Sequence, residues 1–579
     1  MKEQPKMYTM HFDFHHQPIV FQEPIQIVSA MSIDEIIPAL QTVQHWVNKG
    51  YYAAGYVAYE AAPAFDPSYV VKQGENELPL LFFGIYSKPQ PIQTAASHED
   101  FKVSTWEPAI DQQRYQHSIQ SIHEAISRGE TYQVNYTLRM HAEITGDVAG
   151  LYEKMTRNQQ AEYGASLEIG PFRVLSASPE LFFQKIGNQI ITKPMKGTAA
   201  RGRSVIEDEE QAVRLYESEK ERAENLMIVD LLRNDLGKIC TAGSVEVTRL
   251  FEIERYPTVF QMTSTIEGNL RPEIELKDIF TALFPCGSIT GAPKIETMKH
   301  IEKLEDSPRG VYCGSIGFIE PNGNALFNVA IRTVLVDSRK NRAEFGVGGG
   351  ITWDSTVKGE YEEVINKTKL LTVAIADFEL LETILLEDGD YFLLSDHLDR
   401  IEKSAVYFAI PFNRISVQTE LEKFKQQHPK QTYRVRLLVD KTGLIRVEGI
   451  LFHQDHTGEF LVRLAEQPIL SENRFLYHKT THRSVYNERR NQDPRLFDTL
   501  LWNENGEITE FTLGNVIVQM DGVNYTPPIT SGLLPGTYRE ELIRRGEIRE
   551  RVILSTELDK AEQIWFINSV RKRLPVRLV

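Results

Sequence analysis

The 579-residue chain is poor in cysteine, and its three cysteines, Cys240, Cys286 and Cys313, include no closely spaced pair. A disulfide framework and a zinc knuckle both need paired cysteines, so we expect neither, and a reducing compartment fits this usage. The first residues, MKEQPKMYTMHFDF, have no apolar signal core, and no apolar run approaches the length of a membrane span. We therefore expect a cytoplasmic protein that does not bind membranes.

Positive charge is also scarce, because 64 lysines and arginines face 80 aspartates and glutamates, for a formal net charge of −16. This excess argues against a nucleic acid or an anionic membrane as partner, but local cations still allow an anionic small substrate. The hydrophobic share of 41% and the charged share of 25% are typical of globular proteins. A chain of this length exceeds a single hydrophobic core, so we expect at least two domains.

The first half is organised around residues 221–237, which read ERAENLMIVDLLRNDLG. No proline or glycine interrupts this stretch before Gly237, so the pattern predicts a helix with a largely buried body. Glu221 and Glu224 lie three residues apart and would face the same way on that helix. Like charges placed together in this way favour a bound cation.

A second pair with the same spacing, Glu360 and Glu363, lies in the helical pattern GEYEEVINKTK. Two such pairs brought together would offer oxygen ligands that suit Mg²⁺, with room for water and a substrate carboxylate. Taken alone, the two pairs favour the plainer interpretation of two solvated helix faces.

The organisation of the chain changes near Ala374. From FELLETILLEDGDYFLLSDHLDR onward the pattern predicts a strand, a turn at Asp388-Gly389, a second strand and a helix. No Gly/Ser linker precedes it. We place the boundary at 372–378, which gives domains 1–372, with a core of about 110–372, and 378–579.

Several motifs in residues 110–372 occur in an order that resembles the chorismate-utilising enzymes. They are GETYQVN, SASPELF, PMKGT, ERAENLMIVDLLRNDLG, FPCGSITGAPKIETM, VYCGSIGF, AIRT and GVGGGITWDS followed by EYEEVINK. The resemblance implies a two-layer α/β sandwich, in which β-sheets pack together with helices outside. It also implies conversion of chorismate in a Mg²⁺-dependent site.

The choice of reaction within that family depends on PMKGT. Members that aminate C2 of chorismate resemble PIAGT there, whereas members that aminate C4 carry lysine, here Lys196. The resemblance implies that the Lys196 amine attacks C2 while the C4 hydroxyl leaves, and that ammonia attacking C4 displaces the lysine. Such a lysine must be partly neutral, and Glu180, the implied general acid, needs a raised pKa. The alternative makes Lys196 a carboxylate anchor.

The resemblance further implies that Glu224 and Glu363 bind Mg²⁺ directly, with Glu221 and Glu360 in support. The residues implied to hold the substrate carboxylates are Thr198, Tyr312, Arg332, Lys367 and the backbone of Gly348 and Gly349. One departure is Gln261, which stands where several relatives have histidine and cannot titrate.

No cysteine lies in a glutaminase-like nucleophile elbow, since Cys240 lies in GKICTAG, Cys286 in FPCGS and Cys313 in VYCGS. The resemblance therefore implies that a separate glutamine amidotransferase subunit, or free ammonia, supplies the nitrogen.

Residues 378–579 resemble the fold-type IV pyridoxal-phosphate enzymes, such as the branched-chain aminotransferases. The matching pieces are FELLETILLEDGDYFLLSDHLDRI, YRVRLLVD, YHKTTHRSVYN, GEITEFTLGNVIV, SGLLPGTYREELI and FINSVRKRLPV. The chain enters this pattern at Phe378, without the earlier strand and Asn-Gly turn with which these enzymes normally begin.

This second resemblance implies pyridoxal 5′-phosphate bound covalently to Lys479, with Glu510 at its pyridinium nitrogen. Tyr486 is expected near Lys479 on the same element. Arg400 and the helix N-terminus at Gly536-Thr537 are implied to bind the phosphate. Taken singly, a lysine such as Lys479 is usually a surface charge, and Arg400 fits an exposed helix charge as well as it fits a phosphate ligand.

Together the two halves imply one pathway, from chorismate to 4-amino-4-deoxychorismate and then, by loss of pyruvate, to 4-aminobenzoate. In the second step Lys479 would remove the C4 proton. One alternative is an anthranilate-synthase-type or isochorismate-type enzyme fused to an aminotransferase-like domain. Another is an active aminotransferase half with the first half as a scaffold or a regulatory binder. The sequence does not fix the oligomeric state, and the second resemblance makes a homodimer possible because fold-type IV enzymes are often dimers.

Overall fold

The computed structural model describes residues 8–74, 77–91, 101–372, 377–453 and 459–579. The chain forms two compact units, Met1–Ala200 with Ala212–Ile375, and Arg201–Gln211 with Ala376–Val579. The domain bounds 1–372 and 378–579 stay a prediction, and residues 373–376 of the expected join lie outside the described residues. None of the described helices is long and apolar enough to cross a membrane.

The first unit is built on twenty strands, in the part of the chain that the structure describes. They are β1 (Tyr8–Phe14), β2 (Gln17–Phe21), β3 (Gln26–Ala30), β4 (Tyr52–Val57), β5 (Leu81–Tyr86), β6 (Phe101–Val103), β7 (Glu107–Pro108), β8 (Gln133–Gly146), β9 (Tyr163–Ile169), β10 (Phe172–Ser178), β11 (Leu181–Ile186), β12 (Gln189–Lys193), β13 (Met195–Ala200), β14 (Glu246–Arg255), β15 (Val259–Asn269), β16 (Gly291–Ala292), β17 (Ser315–Ile319), β18 (Ala325–Val329), β19 (Thr333–Asp337) and β20 (Arg342–Ile351).

Eight α-helices lie in the described part of this stretch of sequence. They are α1 (Ile33–Asn48), α2 (Gln112–Ser127), α3 (Val148–Gln159), α4 (Val205–Glu217), α5 (Glu219–Gly237), α6 (Leu276–Leu283), α7 (Lys294–Leu304) and α8 (Val357–Thr372). Residues 59–64, within a stretch whose sequence gives no clear pattern, form a short 3₁₀ helix.

The strands of the first unit form two sheets. One has the order β16-β8-β20-β19-β10-β9-β1-β2, with β6 and β7 pairing with β8, and the other has the order β13-β15-β12-β11-β18-β17-β4-β5-β3, with β14 pairing with β15. Phe12 and Phe14 of the first sheet pack against Phe318 of the second, with ring centroids 5.3 and 5.8 Å apart. Side chains from both sheets therefore share one core, and the expected two-layer sandwich is confirmed.

Helix α5 contains the stretch that organises the first half. Its N-cap residue, Ser218, accepts a hydrogen bond from the Glu221 amide, so the helix begins two residues earlier than the predicted start. Ile228 and Leu232 are buried, but Leu226 is 43% exposed. The predicted helix is confirmed, whereas the prediction of a largely buried body is only partly right.

The described strands of the second unit form a four-stranded sheet, β22-β21-β23-β24, and an eight-stranded sheet, β27-β26-β25-β32-β31-β28-β29-β30. The strands are β21 (Leu380–Glu387), β22 (Asp390–Tyr391), β23 (Tyr433–Val439), β24 (Ile445–Leu451), β25 (Phe460–Leu464), β26 (Asp498–Trp502), β27 (Ile508–Phe511), β28 (Asn515–Met520), β29 (Val523–Thr526), β30 (Arg549–Glu550), β31 (Gln563–Asn568) and β32 (Lys572–Leu578). The helices are α9 (Leu394–Phe408), α10 (Arg414–Gln427), α11 (Ser484–Arg489) and α12 (Thr537–Arg544).

The second unit opens as the sequence predicts, with a strand, a turn, a strand and a helix. Asp388 and Gly389 both have positive φ, at 53° and 80°, as a tight turn between β21 and β22 requires. Segment Arg201–Gln211 also belongs to this unit, although it comes early in the sequence.

Candidate active sites

A cavity of about 180 Å³ lies in the first unit, and the residues that the sequence predicts for the first site all line it. They are Glu180, Lys196, Thr198, Glu221, Glu224, Tyr312, Arg332, Gly348, Gly349, Glu360, Glu363 and Lys367. Carboxylates, amines and backbone groups from distant parts of the sequence thus face one space. The role of each residue stays a prediction.

Lys196 is held in place through the backbone of its strand. Asn225 of α5 donates from Nδ2 to the carbonyl oxygens of Lys196 (3.1 Å) and Met262 (3.2 Å), which joins β13 and β15 to the helix. Burial lowers the pKa of Lys196, while the nearby carboxylates of Glu224 and Glu180 act in the opposite direction. The balance leaves more neutral amine than a free lysine has, as a nucleophile needs.

Glu180 follows β10 and is 3% exposed. Its Oε1 is buried and, within the described residues, makes no hydrogen bond. Burial raises the pKa of Glu180 to about 7, although Ser288 and the charge of Lys196 lower it. A carboxyl group with such a pKa is partly protonated at neutral pH and can donate a proton inside the cavity.

The glutamates of this cavity lie against glycines of two strands, Gly349 of β20 and Gly197 of β13. A Cβ built on Gly349 would lie 3.3 Å from Glu360 Oε2 and 3.4 Å from Glu363 Oε1, and one on Gly197 would lie 3.2 Å from Glu221 Oε2. This crowding of carboxylates around bare backbone leaves room for a ligand that a side chain would fill.

Burial raises the pKa values of three of these glutamates, Glu221, Glu224 and Glu360. Burial also acts to raise the pKa of Glu363, but the charge of Lys367 lowers it. The donor set is the oxygen-rich kind that Mg²⁺ prefers, and a cation would relieve the repulsion. Across the described ranges, however, no three carboxylate, imidazole or thiol groups lie close enough to form a metal site as they stand.

Arg332 is the cavity residue with an unusual backbone. Its φ is 53°, in the left-handed region, and its Nη1 donates to Gln159 Oε1 at 2.7 Å. A non-glycine residue in this region is strained, and such strain is concentrated at binding sites. Thr198, another residue predicted to bind the substrate, donates from Oγ1 to Gln261 Oε1 at 3.2 Å.

Asn225 and Gln133 lie next to Lys196 but are missing from the residues that the sequence predicts for this site. Gln133 is fully buried, and neither its amide nitrogen nor its amide oxygen has a hydrogen-bond partner among the residues that the structure describes. A Cβ built on Gly350 would lie 1.9 Å from Gln133 Nε2 and 2.8 Å from Lys196 Nζ, so the amide and the amine are neighbours. Gln133 lies in the motif GETYQVN and Asn225 in ERAEN. Both side chains are uncharged, so the sequence gives no sign that they belong to a functional site.

A cavity of about 560 Å³ lies in the second unit, and the six residues predicted for the second site line it. They are Arg400, Lys479, Tyr486, Glu510, Gly536 and Thr537. Arginines are also frequent in its lining, with Arg434, Arg436, Arg483, Arg490 and Arg571. This excess of positive charge suits a ligand with several anionic groups.

Lys479 and Glu510 are the titratable groups at the centre of this cavity. Burial and the charge of Arg400 lower the pKa of Lys479 to about 8, and burial raises the pKa of Glu510 to about 7. Tyr486 donates to Glu510 Oε1 at 2.8 Å. Tyr486 lies on α11 and Lys479 precedes that helix, so the expectation that the two share one element is wrong.

Arg400 is tied into a buried network that the sequence analysis did not foresee. It donates to Glu382 Oε1 and Oε2 at 2.8 and 2.6 Å and to the Pro535 carbonyl oxygen at 2.9 Å. His397 lies 2.6 Å from Glu382 through Nδ1 and 3.3 Å from Thr537 Oγ1 through Nε2. Since the Arg400 side chain is only 12% exposed, the alternative of a surface charge is wrong.

The residues of this cavity fit pyridoxal phosphate. Gly536 caps α12, and a Cβ there would lie 1.9 Å from Asn515 Oδ1, so only glycine fits between the helix N-terminus and Asn515. The backbone amides at this N-terminus suit a phosphate group. Arg400 lies beside this N-terminus through Pro535. Glu510 would be the acidic group at the pyridinium nitrogen, and Lys479 would supply the amine.

Comparison with known proteins divides the chain into the same two parts as the fold. Residues 16–373 match the chorismate binding enzyme family, and since this match covers more than half of the chain, the protein belongs to that family. Residues 379–579 match the class IV aminotransferases. The expected fold class, a chorismate-binding domain followed by a fold-type IV domain, is therefore confirmed.

Two of the similar proteins are named aminodeoxychorismate synthase component 1. The one from Escherichia coli (strain K12) is 39% identical over 276 residues, which are 48% of this chain and 60% of that protein. The one from Bacillus subtilis (strain 168) is 38% identical over 253 residues, which are 44% of this chain and 53% of that protein. The chain thus spans less than two thirds of either relative.

A third relative and a solved structure carry the name of anthranilate synthase. Anthranilate synthase component 1 3 of Haloarcula marismortui is 38% identical over 286 residues, which are 49% of this chain and 56% of that protein. The crystal structure of anthranilate synthase component I from Streptococcus pneumoniae TIGR4 superposes with a TM-score of 0.52 at 24% identity, covering 64% of this chain and 94% of that one. This likeness shows the fold.

Proposed function

We propose that the protein is a bifunctional enzyme that makes 4-aminobenzoate from chorismate. The first unit aminates chorismate at C4 to 4-amino-4-deoxychorismate, and the second eliminates pyruvate from that product. The observation that carries the proposal is the buried amine of Lys196, whose pKa is lowered by burial and which lines one cavity with a buried, protonatable Glu180 and four further glutamates.

In the first reaction the neutral Lys196 amine attacks C2, and Glu180 protonates the C4 hydroxyl as it leaves. Ammonia then attacks C4 and displaces the lysine. The unpartnered amide of Gln133 beside the amine is suited to orient ammonia, because it offers both a donor and an acceptor. Arg332, Thr198, Tyr312, Lys367 and the Gly348–Gly349 backbone bind the substrate carboxylates.

The chemistry that Mg²⁺ would supply is positive charge, which would attract a substrate carboxylate and offset the negative charge of the glutamates. Glu224 and Glu363 would hold it, with Glu221 and Glu360 in support. Their shared cavity and carboxylate chemistry support this assignment.

Overall similarity does not choose between amination at C4 and amination at C2, since relatives with either name are 38–39% identical. Lys196 supports amination at C4, because attack by an enzyme amine is required only where ammonia enters at that carbon. Anthranilate formation is therefore the rival that the experiment below must exclude.

The ammonia comes from a separate glutamine amidotransferase subunit. The three cysteines of this chain are buried, and burial raises the pKa of Cys286 to about 12 and of Cys313 to about 11. Thiols of this kind are poor nucleophiles. The component 1 names of the relatives support a second component.

In the second reaction bound pyridoxal phosphate supplies an electron sink. Lys479 takes the proton from C4 of the substrate, Glu510 stabilises the charge on the cofactor nitrogen, and the arginines of the cavity hold the two substrate carboxylates. Aromatisation of the ring then drives loss of the enolpyruvyl group. Cytoplasmic location and a homodimer stay predictions.

The test is a product assay with chorismate, Mg²⁺ and ammonium, run with and without pyridoxal phosphate. We expect 4-aminobenzoate with the cofactor and 4-amino-4-deoxychorismate without it. Lys196→Ala should stop both, whereas Lys358→Ala, on the exposed face of α8, should not. Anthranilate as the product, or full activity in Lys196→Ala, would overturn the proposal.

A further inference from the structure

The second unit contains a short segment, residues 201–208, which comprises the loop before α4 and the first turn of α4 and is called the 201–208 loop below. A buried ion pair joins its two ends. Asp208 accepts hydrogen bonds from Arg201 Nε (2.6 Å) and Nη2 (2.8 Å) and from the Gly202 amide (3.0 Å). The side chains of Arg201 and Asp208 are only 6% and 3% exposed. Breaking a pair so buried leaves an uncompensated charge, so the loop has one strongly preferred arrangement.

This loop contacts Tyr407, near the end of α9, through both its ring and its backbone. The Arg201 guanidinium lies 4.6 Å from the centroid of the Tyr407 ring and donates to the Tyr407 carbonyl oxygen at 2.8 Å. In return the Tyr407 hydroxyl donates to the Gly202 carbonyl oxygen at 2.7 Å. Ring and backbone of Tyr407 are thus held by the same short loop.

Tyr407 in turn packs against His478, the residue before Lys479. Its ring packs on the His478 ring with centroids 4.1 Å apart, and Ser404 Oγ lies 3.0 Å from His478 Nδ1. Burial and the charges of Arg474 and Arg201 lower the pKa of His478 to about 3, so the imidazole is neutral and makes an apolar stack. On the other side, the Lys479 carbonyl oxygen accepts from the Leu381 amide at 3.0 Å.

We propose that the 201–208 loop is a positioning element of the second site, which fixes the backbone at Lys479 through Tyr407 and His478. The inference rests on the proposed role of Lys479 as the reactive amine, but not on which reaction follows. It means that residues 376–579 alone lack a part of their own active site.

The charged groups that face the Lys479 amine do not belong to the loop. They are Arg400 and Arg483, which lower its pKa, and Glu382 and Glu510, which raise it. A loop variant leaves these charges in place. A changed titration of Lys479 in such a variant therefore reports altered position and hydration of the amine, not a lost neighbouring charge.

The experiment is competitive labelling of Lys479 in the full-length, cofactor-free protein, with a trace of acetic anhydride over pH 6–11 and mass spectrometry as readout. We expect the labelling midpoint to rise in Asp208→Asn and in Tyr407→Leu by about one pH unit, toward the free-lysine value of about 10.4. Glu209→Gln, an exposed neighbour on the same helix, is the matched control and should behave as the wild type.

Tyr407→Phe keeps the ring stack and loses only the hydrogen bond to Gly202, so it should fold and give a smaller shift in the same direction. An unchanged midpoint in Tyr407→Phe and in any other folded loop variant would overturn the inference, as would an equal shift in Glu209→Gln. Labelling requires neither cofactor nor substrate, so this outcome is independent of whether 4-aminobenzoate is made.

Discussion

Lys367 Nζ lies 2.6 Å from Glu363 Oε1, one helical turn earlier on α8, and donates to the Gly348 carbonyl oxygen at 2.7 Å. This contact explains why the pKa of Glu363 is lowered while the pKa values of Glu221, Glu224 and Glu360 are raised. A predicted metal ligand thus already has a cationic partner.

We predict that Glu224→Gln weakens Mg²⁺ binding by at least about tenfold, because one anionic oxygen ligand is lost from a site of few ligands. Titration calorimetry with Mg²⁺ alone measures the change. Glu362→Gln is the control, since Glu362 lies on α8 with 62% of its side chain exposed and pairs with Lys358. Equal binding by both variants would remove Glu224 from the metal site.

The pH dependence of amination should be bell-shaped. Glu180 donates only when protonated, and its pKa of about 7 means that this donation is lost as pH rises through 7. Lys196 attacks only when neutral, so its share of the rate is lost as pH falls through its lowered pKa.

Initial rates at a constant concentration of neutral ammonia measure this profile. Glu180→Gln should lower the rate by about 10²–10⁴-fold, the usual range for a general acid, and should remove the alkaline limb. An alkaline limb that persists unchanged in Glu180→Gln would assign the acid to another group.

Glu382 should stabilise the second unit except in acid. Burial alone would raise its pKa, but Arg400 and His397 lower it to about 2. A carboxyl group whose pKa is depressed on folding stabilises the protein above its unfolded pKa of about 4.3. This stabilisation is lost as pH falls from there toward about 2.

At pH 7 Glu382→Gln should cost about 3–5 kcal/mol, because Arg400 loses its buried partner. Urea unfolding of the full chain checks the value. The matched control, Glu387→Gln, lies on the same strand in a half-exposed pair with Lys572, and should cost no more than about 1 kcal/mol. A similar loss of unfolding free energy in the two variants would contradict a stabilising role of the Glu382–Arg400 pair.

Reduction with borohydride in the presence of pyridoxal phosphate should fix the cofactor to Lys479. Its pKa of about 8 leaves far more neutral amine at neutral pH than an exposed lysine has. Peptide mass mapping locates the adduct. Lys479→Ala should abolish it and Lys441→Ala, whose side chain is 68% exposed, should keep it, so labelling elsewhere would count against the assignment.

Short motifs were enough to identify residues that line both cavities, because charged side chains such as Lys196, Glu363 and Arg400 stand out within them. Gln133 and Asn225 lie in the same motifs but are uncharged, and their importance comes from hydrogen bonds, or the lack of them, that only the folded chain defines. Glu382 was overlooked for a related reason, since nothing local to β21 shows that a histidine and an arginine of α9 meet it.

The place of segment Arg201–Gln211 could not be predicted from the sequence at all. Its helical pattern continues into α4, and no change of composition separates it from the chain on either side. Its membership of the second unit depends on long-range contacts with residues such as Tyr407, which no local pattern encodes.

The position of this segment in the sequence also affects the order in which the protein can fold during translation. The ribosome makes Arg201–Gln211 well before Ala376–Val579, with which it packs. Until those later residues emerge from the ribosome, Arg201 and Asp208 are present in the nascent chain without the Tyr407 ring on which Arg201 packs. Translation order therefore makes the second unit the last to be finished, and a gene cut at residue 376 would separate it from its own earliest part.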